Sequence, residues 1–433
     1  MLARKRLITI AITLVIWFCT VAWGTTYYVD PNGDDNANGL SWGTAFATVQ
    51  KALDSVSYGD EIWVAEGTYK PTNGTDPNDP RSVTFQLAAG VTMYGGFEGI
   101  ETDPNQRDWQ AHETILSGDI DDDGILDINN CYHVITGAND VNACIDGFAV
   151  MNGYANGSSP ADRGGGIYFS AHSSPKIRNC VISNNYALSY GGGIYLSAFT
   201  NYSSSINNCT ITNNKTVMFG GGIYSYMGAP DINGCTISNN AVNSSYIGQG
   251  GGISYHNGTP TGNPKITNCI FKDNTTDYSA GALELRVMSV NRVFKLDIRN
   301  CVFTGNSSTT MSGALQINTP FNSPNDLTIT NCVFSKNTTK LKGGAIYNYC
   351  SSPTITNCTL VENSTTYIVD AKGGAIYNDY HNYGPASPAV TNCILWGNTA
   401  VADGNEIYNE TGCNPTFSYC DITGGLNGIS CGG

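Results

Sequence analysis

The sequence predicts an all-β fold, a right-handed parallel β-helix of about 11–12 coils with an N-terminal capping helix. The first observation is a cysteine that recurs nine times in the same setting between Cys180 and Cys420, at intervals of 26–35 residues. The second is an apolar residue three positions before and two positions after each of these cysteines. The third is a Gly-rich step that ends in an aliphatic residue and often Tyr, as in 343–347. Units of this size bury their apolar faces only by stacking on their neighbours, so the repeat indicates a solenoid.

Within each coil the pattern predicts three short strands joined by tight bends. The cysteine and the residue two positions after it share one face, as in a strand. The spacing back to the preceding apolar residue is odd, so we expect a bend just before the cysteine, where eight of the nine coils have Asn or Gly. Asn also stands five residues after the cysteine in eight coils, from Asn185 to Asn398, and we expect a second turn there. Parallel crossovers are almost always right-handed, which sets the predicted hand of the helix.

The N-terminus has the pattern of a secretory signal peptide. Basic residues occupy 4–6, an apolar run covers 7–21, and small residues flank position 23. We therefore interpret residues 1–24 as a signal peptide and expect a protein that is secreted or held at the bacterial cell surface, in association with the outer membrane. No later apolar stretch is long enough to span a membrane.

The mature chain divides into two predicted regions. Residues 25–160 are expected to form the cap and irregular coils, and residues 161–433 the regular coils. Between 46 and 56 the apolar residues follow a helical spacing, so an amphipathic helix is expected to cover the first open end of the rod. The repeat stops mid-coil at Gly433, and we expect the natural protein to continue beyond it.

Charge excludes one class of partner. The chain has 35 acidic and 21 basic residues, a net charge of −14, with charged residues forming only 13% of the sequence. Nucleic acid requires a clustered basic surface, so we do not expect it as a partner. A polysaccharide or cell-surface glycan is the expected partner class, and the rod is expected to be a monomer.

The repeated cysteines are predicted to be buried free thiols that act as small apolar fillers. Stacked coils would place them near the strand spacing, beyond the usual Cβ separation in a disulfide. Five cysteines outside the repeat remain able to pair, and the sequence does not decide which of them do so. They are Cys131, Cys144, Cys350, Cys413 and Cys431.

An acidic segment predicts calcium as a cofactor. Asp119, Asp121 and Asp123 alternate before Gly124, and Asp127 follows. This resembles the first half of a calcium loop, in which hard oxygen ligands converge on one cation. The position where such a loop has a bidentate Glu is Asn here, so a solvated acidic turn is the alternative.

A column of mostly aromatic residues follows the aliphatic residue of the third strand. By alternation these side chains point outward, so the rings should stack along one face. They would either stabilise adjacent strands or form a platform for sugar rings. The aromatic members are Tyr168, Tyr195, Tyr224, Tyr347, Tyr377 and Tyr408.

The column is interrupted by Ser254, Glu284 and Gln316 in three consecutive coils. Arg286 and Arg299 lie nearby in a chain that is poor in charge. A carboxylate with basic neighbours predicts either a site for an acidic sugar, with Glu284 as base and the arginines as charge stabilisers, or ordinary surface ion pairs.

Two sets of segments resemble known families. The Gly-Gly-Ala-Ile units at 343–346 and 373–376, with the Phe-x-x-Asn units at 303–306 and 334–337, resemble the repeats of chlamydial polymorphic outer membrane proteins.

The segments 27–30, 46–53 and 59–64 are similar to the start of bacterial pectate-lyase-like β-helix proteins. These resemblances imply the fold, while such folds serve lyases, hydrolases, adhesins and scaffolds alike. No catalytic motif of a lyase family matches residue by residue, so the resemblance assigns no catalytic residue.

Taken together, the sequence favours a β-helix protein that binds or displays, as an adhesin or scaffold, with carbohydrate as its expected ligand and no catalytic activity of its own. The alternative is a polysaccharide lyase or glycoside hydrolase that acts on an acidic polysaccharide along the same face.

Overall fold

The computed structural model describes residues 24–432 with nine internal gaps. The gaps are 138–141, 171–172, 198–203, 229, 245, 258–263, 288–293, 320–324 and 382–383. Residues 1–23 of the predicted signal peptide lie outside the described residues. Among the residues described, no helix combines the length and the apolar character needed to cross a bilayer.

The chain forms a parallel β-solenoid, as the repeat predicted. Four sheets, here called sheets 1 to 4 in the order in which a regular coil passes through them, run along the rod. Sheet 3 consists of nine two-residue strands that the sequence did not predict, so a regular coil has four strands rather than three. Sheet 2 has 12 strands, in agreement with the predicted number of coils.

Within each sheet the strands follow one another in chain order. Sheet 1 contains Thr26–Val29, Glu61–Ala65, Thr92–Phe97, Cys144–Asp146, Lys176–Arg178, Ser205–Asn207, Asp231–Asn233, Lys265–Thr267, Phe294–Arg299, Asn325–Thr330, Thr354–Thr356, Ala389–Thr391 and Thr416–Ser418. Sheet 2 contains Gly67–Tyr69, Thr114–Ser117, Ala149–Met151, Val181–Ser183, Thr210–Thr212, Thr236–Ser238, Ile270–Lys272, Val302–Thr304, Val333–Ser335, Thr359–Val361, Ile394–Trp396 and Asp421–Ile422. Sheet 3 contains Tyr154–Ala155, Tyr186–Ala187, Lys215–Thr216, Ala241–Val242, Thr275–Thr276, Ser307–Ser308, Thr338–Thr339, Ser364–Thr365 and Thr399–Ala400. Sheet 4 contains Phe85–Leu87, Ile135–Gly137, Ile167–Phe169, Ile194–Ser197, Ile223–Tyr226, Ile253–Asn257, Leu283–Val287, Leu315–Asn318, Ile346–Tyr349, Ile376–His381, Ile407–Asn409 and Ile429–Cys431, with Gly384–Pro385 antiparallel to Ile376–His381.

Helical structure is limited to one α-helix and four short 3₁₀ turns among the described residues. The α-helix, Val49–Leu53, is shorter than the spacing from 46 to 56 predicted, and its buried side chains pack against the first strands of sheets 1 and 4. The 3₁₀ turns are Trp42–Thr44, Pro80–Ser82, Pro104–Gln106 and Gly425–Gly428.

The repeated cysteines line the core as free thiols. All of them are buried except the last, Cys420, which is partly exposed. Cys301 is typical: its thiol donates to the carbonyl of Arg299 at 3.3 Å and to that of Ile266 in the preceding coil at 3.5 Å. Outside the repeat, Cys131, Cys144, Cys413 and Cys431 are also free thiols. Small apolar fillers with a weak donor suit this position, because the strand carbonyls there accept the S–H groups.

The bend before each cysteine has the backbone conformation that its Asn column predicted. Asn179 and Asn331 adopt φ values of 51° and 54°, and Gly234 adopts 66°. Even Tyr419, the one bulky residue in this column, has φ of 55°. The left-handed region is therefore a requirement of the bend, and Asn and Gly meet it at least cost.

The second Asn column does not form a turn, contrary to the sequence prediction. The left-handed residue is one position earlier, where the chain is as varied as Asp273, Lys336 and Glu362. The Asn residues themselves point inward and are almost fully buried, from Asn185 to Asn398. The sequence pattern misled because Asn suits both a turn and a buried amide stack.

These buried side chains form a continuous amide ladder along the core. Asn337 shows the pattern: its Oδ1 accepts from the backbone N–H and the amide of Asn306, at 3.1 and 2.9 Å. Its own amide donates to Phe303 O and to Asn363 Oδ1, both at 2.9 Å. Each Asn between the two ends of the ladder thus forms hydrogen bonds with the Asn of the preceding coil and with the Asn of the following coil.

The ladder supports a matched prediction on two Asn residues of one coil. Asn337→Gly removes four buried hydrogen bonds and leaves the Asn306 N–H unpaired, so we expect a loss of about 3 kcal/mol or more in the free energy of unfolding. Asn331→Gly keeps the left-handed bend on the exposed surface and should change it by less than about 1 kcal/mol. Urea unfolding followed by circular dichroism measures both, and equal effects would contradict the ladder's structural role.

Candidate functional site

The outward column of sheet 4 stacks its rings as expected. Centroids lie 5.3 Å apart for Tyr168 and Tyr195, and 5.3 Å apart for Tyr377 and Tyr408. The rings do not, however, form an exposed platform. Tyr195, Tyr224, Tyr347, Tyr377 and Tyr408 are each at most 5% exposed, whereas Tyr168 is half-buried.

A second column of side chains covers these rings. It lies beside sheet 4, and each of its residues forms an isolated parallel β-bridge with the equivalent residue of a neighbouring coil. Its members are Arg163, Tyr190, Phe219, Gln249, Ser279, Met311, Lys342, Lys372 and Asp403. The ring of Tyr190 lies 4.8 Å from that of Tyr224, and Lys342 Nζ lies 4.6 Å from the Tyr377 centroid. Alternation correctly predicted the direction of the tyrosines but not the segment that lies against them.

At the interruption of the column, Glu284 is fully buried in a polar cluster. Its carboxylate accepts from Ser254 Oγ at 2.6 Å and contacts His256 Nε2 at 3.1 Å. The side-chain amide of Gln249 faces the same carboxylate and donates to it through its nitrogen. The other ring nitrogen of His256 contacts Tyr224 OH at 3.2 Å. The carboxyl group is therefore enclosed by hydrogen-bonding partners rather than presented to solvent.

The structure separates Arg299, but not Arg286, from the face of the rod that carries Glu284. Arg286 lies two residues after Glu284, at the next outward position of the same strand, where it pairs in register with His256. Arg299 belongs to sheet 1, where its guanidinium contacts Asp297 at 2.8 Å on a half-exposed surface. Glu284 and Arg299 thus lie on different faces of the rod.

A cleft of about 480 Å³ lies against the first coils of sheet 4. Its floor is the N-terminal continuation of the outward column, Gln86, Thr136 and Tyr168, which pair in register. Its full lining comprises Thr75, Asp76, Asp79, Ser82, Thr84, Gln86, Tyr132, His133, Thr136, Gly137, Pro160, Ala161, Tyr168 and Ser170.

Tyr132 is fixed in the cleft wall by Arg81. The guanidinium carbon lies 4.1 Å from the ring centroid, and its nitrogens donate to the carbonyls of Asn130 at 2.7 Å and Tyr154 at 2.6 Å. Burial and a hydrogen bond with Asp79 raise the pKa of the Tyr132 hydroxyl. The guanidinium of Arg81 is therefore occupied by contacts within the protein, and it holds the Tyr132 ring in one orientation.

His133 supports the floor of the cleft. Its ring stacks on Tyr168 with centroids 5.0 Å apart, and Nδ1 lies 3.0 Å from the carbonyl of Gly164, to which it donates. Burial lowers the pKa of His133 to about 4. The ring is therefore neutral near pH 7 and leaves its Nε2 as a hydrogen-bond acceptor.

The sequence predicted only one member of this cleft, Tyr168. Gln86 and Thr136 lie in the irregular coils, where no repeat marks their shared column, and Tyr132 arrives from a connecting segment. The sequence signal that could have located Gln86 and Thr136 is their position. Each directly follows an inward apolar residue, Phe85 or Ile135, and therefore points outward.

The acidic segment between sheets 2 and 4 brings three of its four predicted ligands together. One carboxylate oxygen from each of Asp119, Asp121 and Asp123 lies within 4.8 Å of the others. Asp127 is not in this group, and its Oδ1 accepts from Asn129 N at 2.7 Å.

Comparisons with known proteins agree with this architecture. Residues 99–314 match the model of the right-handed beta helix region, and residues 331–349 match the Chlamydia polymorphic membrane protein repeat. No curated protein matches the sequence.

Three solved structures illustrate the likeness in fold. XylC in complex with xylose is 10% identical, with 91% of this chain and 86% of that chain covered and a TM-score of 0.50. The polygalacturonase from Erwinia carotovora is 13% identical, with coverage of 95% and 100% and a TM-score of 0.41. The pectate lyase Pel9A is 13% identical, with coverage of 92% and 78% and a TM-score of 0.42. At 10% identity, the likeness to XylC shows the fold alone.

The enclosure of Glu284 predicts a structural cost for its removal. Glu284→Ala leaves Ser254, His256 and Gln249 without their acceptor, so the free energy of unfolding should fall by about 3 kcal/mol. Arg299→Ala breaks only a surface pair and should cost less than about 0.5 kcal/mol. Urea unfolding of both variants tests this, and a Glu284→Ala protein as stable as the parent would contradict it.

The lowered pKa of His133 predicts a loss of stability in mild acid. Above about pH 6.5 both the folded and the unfolded states hold a neutral ring. As the pH falls towards about 4, only the unfolded state gains the proton, so folding weakens. At pH 4.5 we expect about 2–3 kcal/mol less stability from this group than at pH 7. His133→Gln, which cannot titrate, should lose correspondingly less between these two pH values in urea unfolding, and an identical loss would refute the assignment.

Proposed function

The chain is a right-handed parallel β-helix repeat protein, and we propose that it binds carbohydrate in the cleft on its first coils, at the cell surface or after secretion. The observation that carries the proposal is the combination in one cleft of two tyrosine rings with hydroxyl, amide and carboxylate groups. The signal-like N-terminus and the match to a polymorphic membrane protein repeat support the location.

The chemistry of the cleft suits a sugar. Aromatic rings such as Tyr132 and Tyr168 offer apolar faces with a polar edge, which pack against the C–H faces of sugar rings. Gln86, Thr84 and Thr136 supply neighbouring groups that donate to and accept from hydroxyls. A volume of about 480 Å³ lies within the usual range of small-molecule sites and suits one or two sugar rings.

The charge of the cleft favours a neutral glycan over an acidic one. Asp76 and Asp79 contribute two carboxylates, and none of the described residues that line the cleft is Lys or Arg. Arg81 lies behind Tyr132 and is engaged by backbone carbonyls. A uronate would therefore meet two like charges without a compensating cation.

A glycoside hydrolase is the second candidate, because Asp76 and Asp79 line the same cleft and glycoside hydrolysis needs a pair of carboxyl groups. Both residues also have a local role in the backbone. Asp76 Oδ1 accepts from Asn78 N at 2.9 Å, and Asp79 Oδ1 accepts from Arg81 N at 3.0 Å. Binding alone requires only that the remaining oxygens accept sugar hydroxyls, so we place binding first.

The binding proposal predicts that cleft variants lose affinity. Tyr132→Ala and Gln86→Ala should each weaken binding at least tenfold, because they remove a stacking face and an exposed amide. Isothermal calorimetry with xylan, glucan and galactan oligosaccharides measures the loss. Tyr380→Ala is the matched control, since Tyr380 is a 50% exposed ring of sheet 4 outside the cleft, and it should bind like the parent.

Two results would change the assignment. If the parent binds none of these oligosaccharides, or if Tyr132→Ala binds as the parent does, the cleft is not the glycan site. If incubation with the polymers releases new reducing or unsaturated ends, and Asp79→Asn abolishes the release, the hydrolase or lyase alternative replaces binding.

A further inference from the structure

We propose a calcium site in the loop from Gly118 to Cys131, with the carboxylates of Asp119, Asp121 and Asp123 as its protein ligands. The site is independent of the proposed carbohydrate binding, because none of these three side chains lines the cleft.

The ligand set matches the chemistry of calcium. Three carboxylate oxygens lie within 4.8 Å of one another, which is close enough for one ion to contact all three. Asp119 is buried at the base of the loop, while Asp121 and Asp123 are exposed above it. Hard oxygen ligands with open positions for water suit calcium, and the group contains no His or Cys that would favour a transition metal.

A second, independent observation favours a cation at Asp119. Asp119 is only 8% exposed, and its Oδ2 accepts from Gly124 N at 3.1 Å. Its Oδ1 is buried and has no hydrogen-bond partner. An unpaired carboxylate oxygen is costly away from water, and a bound cation is one of the few ways to compensate for it.

Lys70 contacts this loop but pairs with a residue outside the cluster. Lys70 forms an ion pair with Asp122, which has a left-handed backbone with φ of 64°. Among the described residues, no Lys or Arg forms an ion pair with any of the three clustered carboxylates.

The loop is closed at its base and leads directly into the cleft. Cys131 N donates to Gly118 O at 2.9 Å, and the fully buried Asn130 donates through its amide to Asn152 O at 2.8 Å. Tyr132 follows as the next residue. An ion that ties the three carboxylates together is expected to stabilise this closed segment.

Calorimetric titration of the chelator-treated full chain with calcium chloride tests the site. We expect a single site in the parent, at least tenfold weaker binding in Asp119→Asn and Asp121→Asn, and unchanged binding in Asp127→Asn. Asp127 is the control because it belongs to the same loop but not to the cluster. Asp121 is exposed, so its variant should fold even if the buried Asp119→Asn does not.

Thermal unfolding with and without calcium provides the second measurement. The ion should raise the melting temperature of the parent and of Asp127→Asn, and raise that of Asp121→Asn much less at the same calcium concentration. Absence of calcium uptake by the parent, or equal uptake by Asp121→Asn, would overturn the proposal. Neither result depends on a glycan, so failure here leaves the cleft assignment to be judged by its own experiment.

Discussion

The buried amide ladder is the interaction on which the rest of the rod depends. Every rung accepts from the coil before it and donates to the coil after it, so a slip of register would leave several buried polar groups unpaired. The ladder is directional and needs an end that only accepts. Glu406 is that acceptor: Asn398, the last Asn of the ladder, donates its amide to Glu406 Oε2 at 2.5 Å and its backbone N–H to Oε1 at 3.3 Å. Burial raises the pKa of Glu406, which shows the cost of placing a carboxylate there.

The repeat made the inward columns and the first bend predictable, because each is specified by residues close in sequence. Ile177 and Ile206 pair in register, and Asn179 adopts the left-handed backbone that its column indicated. The second turn was assigned one position too late, at Asn337 rather than Lys336. Local chemistry could not separate these two positions, since Asn favours turns in isolation while the ladder exists only once coils are stacked.

The candidate site was less predictable for a related reason. Alternation gives the direction of Tyr377, but its burial depends on Lys342, which comes from the preceding coil. The cleft joins Gln86, Tyr132 and Tyr168 from segments with no common pattern. Such surroundings arise from the way connecting segments lie against the sheet, and the sequence carries no periodic signal for that arrangement.

A break in a repeat points to function only where it leaves a group unsatisfied or accessible. The break at Glu284 fails this criterion, because Ser254 and His256 already occupy its carboxylate and no surface of it is exposed. Asp119 meets this criterion because it has a buried oxygen that lacks a hydrogen-bond partner. Tyr168 meets it because it is accessible, as the ring of the outward column that borders a cleft. Since the amide ladder of the regular coils satisfies its own polar groups rung by rung, binding is expected where that ladder has not yet begun, on the first coils of the rod.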